Sequence, residues 1–318
     1  MILSGWTVDY GDGPQPCTVP HAWRQDVPLS WEGPAVYRCS AFIPHGSQFL
    51  VFHGISYQAR VFLDDIEIGV HEGIWDSFWF EIAGDGRDHE LRVEVIKNGG
   101  ETFPVRTVAS GFIPFVFHTF GGIYKPVELL AAEPCKPIPG GSDVRAEGTK
   151  LYANGANLTP TASVKSQAEE WLAKRMGDQT AKPSAAPVVG EKPTYLRGVL
   201  TWGWYPELGH LNPTDGTIHK EVDIAKNLGF NLIKFCLWVP PHRYLEIMQE
   251  KGLMAWIELP LWDPTDDTEA QEKIAKEFER IVDQYRHHPN IALWTCGCEL
   301  HGTTTAAYRK QLYDLVKE

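Results

Sequence analysis

Two carboxylates in aromatic company are the residues best equipped for chemistry. Glu258 lies in the apolar run 254–259 and is followed by Trp262, while Glu299 follows the run 291–296, with Cys298 before it and His301 just after. Trp202 and Trp204 follow a third such run, 195–200, and Trp238 ends a fourth, 231–238. A carboxylic acid can protonate a departing oxygen, a second carboxylate can answer the positive charge developing at carbon, and flat aromatic faces suit the C–H-bearing faces of sugars. The combination points to a sugar-cleaving site. For any single tryptophan, ordinary core packing is the competing explanation. A proton donor at Glu299 requires a raised pKa, which an apolar rim of Trp294, Trp238 and Trp262 would supply by disfavouring the charged form.

These residues act together only if the chain brings the ends of those runs to one place. From residue 194 onward strand-like and helical periods alternate, with strands expected at 195–200, 231–238, 254–259 and 291–296 and helices at 218–228, 242–251, 268–287 and 305–316. Four consecutive βα units predict a parallel sheet. In such an array chemistry collects at the carboxyl ends of the strands, where the βα loops form one concave face. Gly229 and Gly252 stand where helix C-caps are expected, just before the next strand.

Residues 34–130 read differently. Short alternating runs at 35–43, 48–53, 58–63, 66–70, 76–81, 89–96 and 124–130 have the spacing of an antiparallel β-sandwich. Asp64-Asp65, between two such runs, and Asn98-Gly99-Gly100, after another, are hairpin or loop signals. Residues 134–192 turn to Pro, Gly, Ser, Ala and Thr, the composition of a linker or a reduced domain. That stretch holds a helix candidate at 164–176 and a strand candidate at 150–152, with poor order expected over 178–192.

The bulk properties exclude several function classes. A chain of 318 residues exceeds the roughly 250–300 at which one core stops growing, so two or more domains are expected. With 29 Lys and Arg against 41 Asp and Glu, a net charge of −12 and no basic run, the chain is not expected to bind nucleic acid. No phosphate loop or dinucleotide fingerprint occurs, and no cofactor is expected. Cys17, Cys39, Cys135, Cys236, Cys296 and Cys298 lack disulfide-framework spacing and read as free thiols. His287-His288, ahead of Pro289, reads as a helix-end pair meeting the negative helix terminus, and no metal ligand set is expected. The first residues carry no basic and apolar leader pattern, and no stretch approaches the ~18 apolar residues of a membrane span. The expectation is a chain without membrane association, cytoplasmic by default.

Order along the chain adds a resemblance. Tyr195-Leu-Arg-Gly-Val, Leu228-Gly-Phe-Asn-Leu-Ile-Lys, Gly252-Leu-Met-Ala-Trp-Ile-Glu-Leu-Pro and His288-Pro-Asn-Ile-Ala-Leu-Trp, followed by Gly297-Cys298-Glu299, resemble the barrel of the family 2 glycoside hydrolases. Upstream, Val19-Pro-His-Ala-Trp, the segment 37–44, Val61-Phe-Leu-Asp-Asp and Gly121-Gly-Ile-Tyr-Lys-Pro-Val-Glu-Leu resemble that family's N-terminal sugar-binding domain. The resemblance implies a multidomain β and α/β chain: a jelly-roll β-sandwich over 1–133, a linker or reduced Ig-like region over 134–192, and a partial (β/α)8 TIM barrel over 193–318. It also implies retaining hydrolysis of terminal β-linked sugars. Glu299 takes the acid/base position and Glu258 a structural or metal-ligating one. Cys298, Trp202, Trp238, Trp262, Glu258 and His301 are the expected substrate contacts. The sugar stays open between the β-mannosidase side, suggested by His287-His288-Pro289, and the β-galactosidase and β-glucuronidase side, suggested by Arg197-Gly198-Val199.

Three departures from the family pattern are visible. Cys298 replaces the Asn that hydrogen-bonds the sugar 2-hydroxyl, and its thiol is a weak donor. Trp202 and Trp238 stand where β-galactosidase-like members have histidines, which suits a less polar sugar face and core packing equally. The family nucleophile is a Glu after the seventh strand, and the fourth βα unit is the last here, so no residue of this chain is expected to fill that role. Four units do not close an eight-stranded barrel, and the open edges call for a homo-oligomer, a second half in trans or further residues. A non-catalytic carbohydrate-binding protein or an inactive fragment is the alternative.

Overall fold

Alternating apolar and polar side chains build the first part of the chain, and the alternation decides which face of each strand is buried. The computed structural model describes residues 1–23, 26–28, 30–103, 119–131, 144–147, 150–153, 156–158, 195–203, 205, 207–208, 210–262, 267–298, 300 and 304–317. The chain forms two compact units, Met1–Lys97 with Gly121–Ala173, and Asn98–Phe120 with Lys174–Glu318.

In the first unit, β1 (Trp6–Asp9), β2 (Gln15–Cys17), β3 (Ala35–Ile43), β5 (Gln58–Leu63), β6 (Ile66–Glu72) and β8 (Arg87–Ile96) form a sheet in the order β2-β1-β3-β8-β5-β6. A second sheet, in the order β7-β4-β9, is built from β4 (Gly46–Phe52), β7 (Phe78–Gly84) and β9 (Val127–Ala131). All of these pairings are antiparallel. Every second residue of β3, from Ala35 through Tyr37 to Ile43, is buried, and Leu91, Val93 and Val95 of β8 answer them. Leu50, Phe52, Phe78, Val127 and Leu129 of the smaller sheet join the same core.

The expected runs are all strands here, with ends shifted by a few residues. Asp64-Asp65 is the two-residue hairpin, with φ of 47° and 64°. Aspartate tolerates that left-handed pair better than most side chains, and the turn's twist matches its strands. The short strands β1 and β2 were not expected, because Pro16 and the glycines at 11 and 13 mask any alternation. They form by pairing onto the side of β3, and Pro16 is tolerated because β2 bonds only to β1.

Of residues 134–192, the described part is an antiparallel three-stranded sheet of β10 (Val144–Glu147), β11 (Lys150–Ala153) and β12 (Ala156–Leu158), in that order. The strand candidate at 150–152 is β11. The helix candidate at 164–176 and the segment 178–192 lie outside the described residues.

The second unit alternates β13 (Gly198–Thr201), α1 (Asp215–Asn227), β14 (Leu232–Phe235), α2 (His242–Glu250), β15 (Met254–Glu258), α3 (Thr268–Tyr285), β16 (Ile291–Thr295) and α4 (Ala306–Lys317). The four strands are parallel and lie side by side in sequence order. Thr214 caps α1 by accepting from the Thr217 amide, Asp267 caps α3 from Glu269, and Gly229 and Gly252 end α1 and α2 with φ of 84° and 72°. Ile218, Val222 and Ala225 recur at helical spacing on the buried side of α1, and Ile274, Phe278, Ile281 and Tyr285 on that of α3. Ile233, Phe235, Ala255 and Ile257 are buried on one side of the sheet. The opposite side carries a row in register, Leu200, Lys234, Trp256 and Leu293, whose outer members are 42% and 38% exposed.

One expectation needs correction. His288 is not a cation at the end of α3. Its Nε2 lies 2.8 Å from His242 Nδ1, and the His242 ring stacks on Tyr285 with centroids 4.0 Å apart. Burial, reinforced by neighbouring His287, pushes the His288 pKa down to about 4. A histidine depressed in the fold charges first in the unfolded chain, so stability is lost as pH falls from about 6.5 toward that value. Urea unfolding at pH 7 and at pH 4.5 should show a loss approaching 3 kcal/mol, on the order of two pKa units of linkage. His288→Phe should flatten that dependence, and an unchanged pH dependence in the variant would remove His288 as its source.

Candidate functional site

The carboxyl ends of the four parallel strands hold the chemistry-bearing groups of the second unit. Alternation along β14 and just past it sends Lys234 and Cys236 to the same side, and alternation along β15 does so for Trp256 and Glu258. Glu258 is 3% exposed. Its Oε2 meets the Lys234 ammonium at 2.5 Å, and its Oε1 accepts from the Cys236 thiol at 2.8 Å. Lys234 Nζ also lies 4.6 Å from the centre of the Trp256 ring, whose Nε1 donates to Thr295 Oγ1 at 3.0 Å. One polar chain therefore runs from β14 through β15 to β16. Burial pushes the Cys236 thiol well above its ordinary pKa, and its hydrogen bond to Glu258 adds to the shift. A thiol so held is a hydrogen-bond donor rather than a nucleophile.

Beyond the strands, pairing of β15 with β16 continues to the rim. Leu259 N donates to Thr295 O, Cys298 N donates to Leu261 O at 2.8 Å, and Trp262 and Cys298 form a parallel bridge. Gly297, with φ of 117°, makes this approach feasible, because a Cβ there would lie 2.5 Å from Leu261 O. Trp262 and Cys298 are both half-buried, as is Trp202 past the end of β13. Just past the end of β14, Leu237 adopts φ of 56°, a strained conformation for a branched side chain.

The expected site residues separate. Glu258, Trp262, Cys298 and Trp202 lie at the carboxyl ends of β15, β16 and β13. Trp238 is 0% exposed. It packs edge-on against Phe235 and Tyr244, donates to Thr201 O at 3.2 Å, and presses on Gly203, where a Cβ would lie 2.4 Å from its ring. Core packing, not a sugar face, is its role in this structure. Trp294 pairs in register with Ile257, on the side of the sheet opposite Glu258 and Thr295, so it does not line the rim as expected. Glu299, His301 and Trp204 lie outside the described residues. Cys17, Cys39, Cys236 and Cys296 are free thiols, and Cys135 lies outside the described residues. Among the described residues no three His, Cys, Asp or Glu side chains converge on a metal position.

Lys234 and Cys236 were not expected at the site, although a signal for Lys234 exists. A lysine within an otherwise apolar parallel strand needs a buried partner, and Glu258 ends the neighbouring run.

No protein-family model matches the chain. A β-glucuronidase of Bacteroides fragilis is 21% identical over an alignment covering 85% of this chain and 50% of that protein. A β-galactosidase of Thermoanaerobacter pseudethanolicus is 31% identical over 33% of this chain and 14% of its own length. Among solved structures, a GH2 β-galacturonidase from Eisenbergiella tayi bound to galacturonate superposes on 100% of this chain and 69% of its own, with a TM-score of 0.71 at 16% identity. The chain is similar to the family 2 glycoside hydrolases. It spans half the length of the glucuronidase, and the structural likeness is one of fold: antiparallel β-sheets followed by a parallel α/β sheet.

Within this family 2-like fold the Lys234–Glu258 pair is open to a direct test. Removing one member strands a charge in a buried setting, which costs about 3–5 kcal/mol for a fully buried pair. Lys234 keeps 20% of its side chain exposed, so Lys234→Met should cost nearer the lower figure in urea unfolding. Lys234→Met combined with Glu258→Leu should cost clearly less than the sum of the two single changes. Additive costs would mean that the two groups are not coupled.

Proposed function

We propose that this chain carries the N-terminal part of a retaining β-glycosidase acting on terminal β-linked sugars. In this reading the first unit is a jelly-roll sandwich and the parallel βα array is the first half of a (β/α)8 barrel, with boundaries near residues 133 and 192. The support is of three kinds: two antiparallel sheets on one core, four βα units in sequence order, and similarity to proteins named β-glucuronidase, β-galactosidase and β-galacturonidase. The observation that carries the assignment of roles is that one candidate carboxylate, Glu258, has both oxygens committed to Lys234 and Cys236. Glu299, next after the paired Cys298, is the other.

Glu299 protonates the departing glycosidic oxygen and then, as a carboxylate, activates the water that releases the sugar. Attack on the anomeric carbon falls to a second carboxylate that none of these residues supplies, since Glu258 braces the strand ends. Trp202 and Trp262 offer half-buried ring faces to the sugar, Cys298 and His301 offer polar contacts, and Trp238 supports the rim from the core. The substrate class is a carbohydrate β-glycoside.

The test is turnover of nitrophenyl β-glucuronide, β-galacturonide and β-galactoside by the polypeptide that carries these residues. Glu299→Gln should lower kcat by at least ~100-fold, the usual worth of a positioned proton donor, while leaving the melting temperature unchanged. Full activity in the Gln variant would end the assignment of Glu299. Glycan binding in calorimetry without turnover of any of the three would favour a carbohydrate-binding protein instead.

A further inference from the structure

At one end of the six-stranded sheet of the first unit, His89 lies between two carboxylates from two different turns. Its Nδ1 is 2.7 Å from Asp64 Oδ2, in the β5–β6 hairpin, and its Nε2 is 2.8 Å from Asp85 Oδ1, in the β7–β8 connection. His89 is the third residue of β8 and is 7% exposed, while both aspartates are about half exposed. The other oxygen of Asp64 accepts from the Glu90 amide, and the other oxygen of Asp85 meets Arg87 Nε at 2.5 Å.

Ionised carboxylates only accept hydrogen bonds, and a neutral imidazole has a single N–H. Both contacts can be hydrogen bonds only when the ring carries two protons. We propose that His89 is a proton-operated clamp: as imidazolium it ties the Asp64-Asp65 hairpin to the Asp85-Gly86 turn, and on losing a proton it releases one of them. The charged groups that meet the ring are both acidic, Asp64 from the hairpin and Asp85 from the connection. The charges beside them pair with one another or with these two: Arg87 with Asp85, Asp65 with Arg92, and Glu90 with Arg38. Facing it on β3, Ala41 brings no charge, and His45 of the β3–β4 turn packs against Gly86. Hydrogen bonds to Asp85 and Asp64 raise the His89 pKa against the opposing effect of burial, and the bonds to His89 hold both aspartates below the ordinary carboxylate range.

The sign of the pH dependence follows. A raised histidine stabilises fully below its unfolded value of about 6.5 and stops doing so as pH rises through its folded value. The depressed aspartates stabilise above about 4, their unfolded value, and lose that effect as pH falls through their folded values. The clamp is closed between these limits and opens on the alkaline side.

The experiment is an NMR titration of the His89 ring in the intact chain, with amide protection factors followed at residues 64–66 and 85–88. His89 should titrate above the ordinary histidine value, and protection at one of the two turns should fall on the order of ten-fold across that titration, the worth of one charge-assisted bond. Asp85→Asn, an exposed change that spares the fold, should lower the His89 pKa, because an amide side chain can pair with a neutral ring. A His89 pKa at or below the ordinary value, protection at both turns that is indifferent to the titration, or an Asp85→Asn variant with unaltered His89 titration would each overturn the clamp.

Discussion

A carboxylate removed from water must be met by a cation or by donors in fixed positions, and Glu258 imposes that requirement on the second unit. Lys234 answers it from the neighbouring strand, and Cys236 fills the remaining oxygen. Because the ammonium also rests on Trp256, whose indole donates to Thr295, three strand ends are held in one arrangement. The rim depends on this arrangement. Register between β15 and β16 persists to Trp262 and Cys298 only while the strand ends stay together, and Gly297 provides the close approach that this pairing demands.

The two units solve the burial problem differently. In the first, antiparallel strands such as β3 and β8 alternate buried and outward residues, and two sheets bury their inner faces in one core. Asp76, Lys97 and Lys125 are buried in this unit, while at the turns His89 and its two aspartates join strand ends through hydrogen bonds rather than packing. In the second, helices cover one side of a parallel sheet, and the other side keeps a mixed row of Leu200, Lys234, Trp256 and Leu293. A charge pair can sit on that side because it is flanked by aromatic and aliphatic stems and, among the described residues, no helix packs over it.

Similarity at the level of fold and the assignment of roles rest on different properties. A TM-score of 0.71 at 16% identity is what pattern, register and caps can preserve while most side chains change. Roles depend on single side chains, and here they sort by environment. Among the candidate residues, Glu258 is occupied by Lys234 and Cys236, and Trp238 is enclosed by Phe235, Tyr244 and Gly203.

Periodicity alone determined the change from antiparallel to parallel architecture, the four βα units and the caps at Gly229 and Gly252, because these depend on side-chain order within a few residues of chain. The Asp64-Asp65 hairpin was legible for the same reason. The short strands β1 and β2 were not, since their cause is pairing onto β3, farther along the chain. The sequence also named Glu258, Trp238 and Trp294 as rim residues on equal terms, for each stands at or near a strand's carboxyl end. Only the tertiary structure distinguished them: register turned Trp294 to the opposite side of the sheet, close packing on Gly203 took Trp238 into the core, and Lys234, 24 positions away in sequence, claimed Glu258. Direction, burial and charge pairing arise between strands, and no local pattern encodes them.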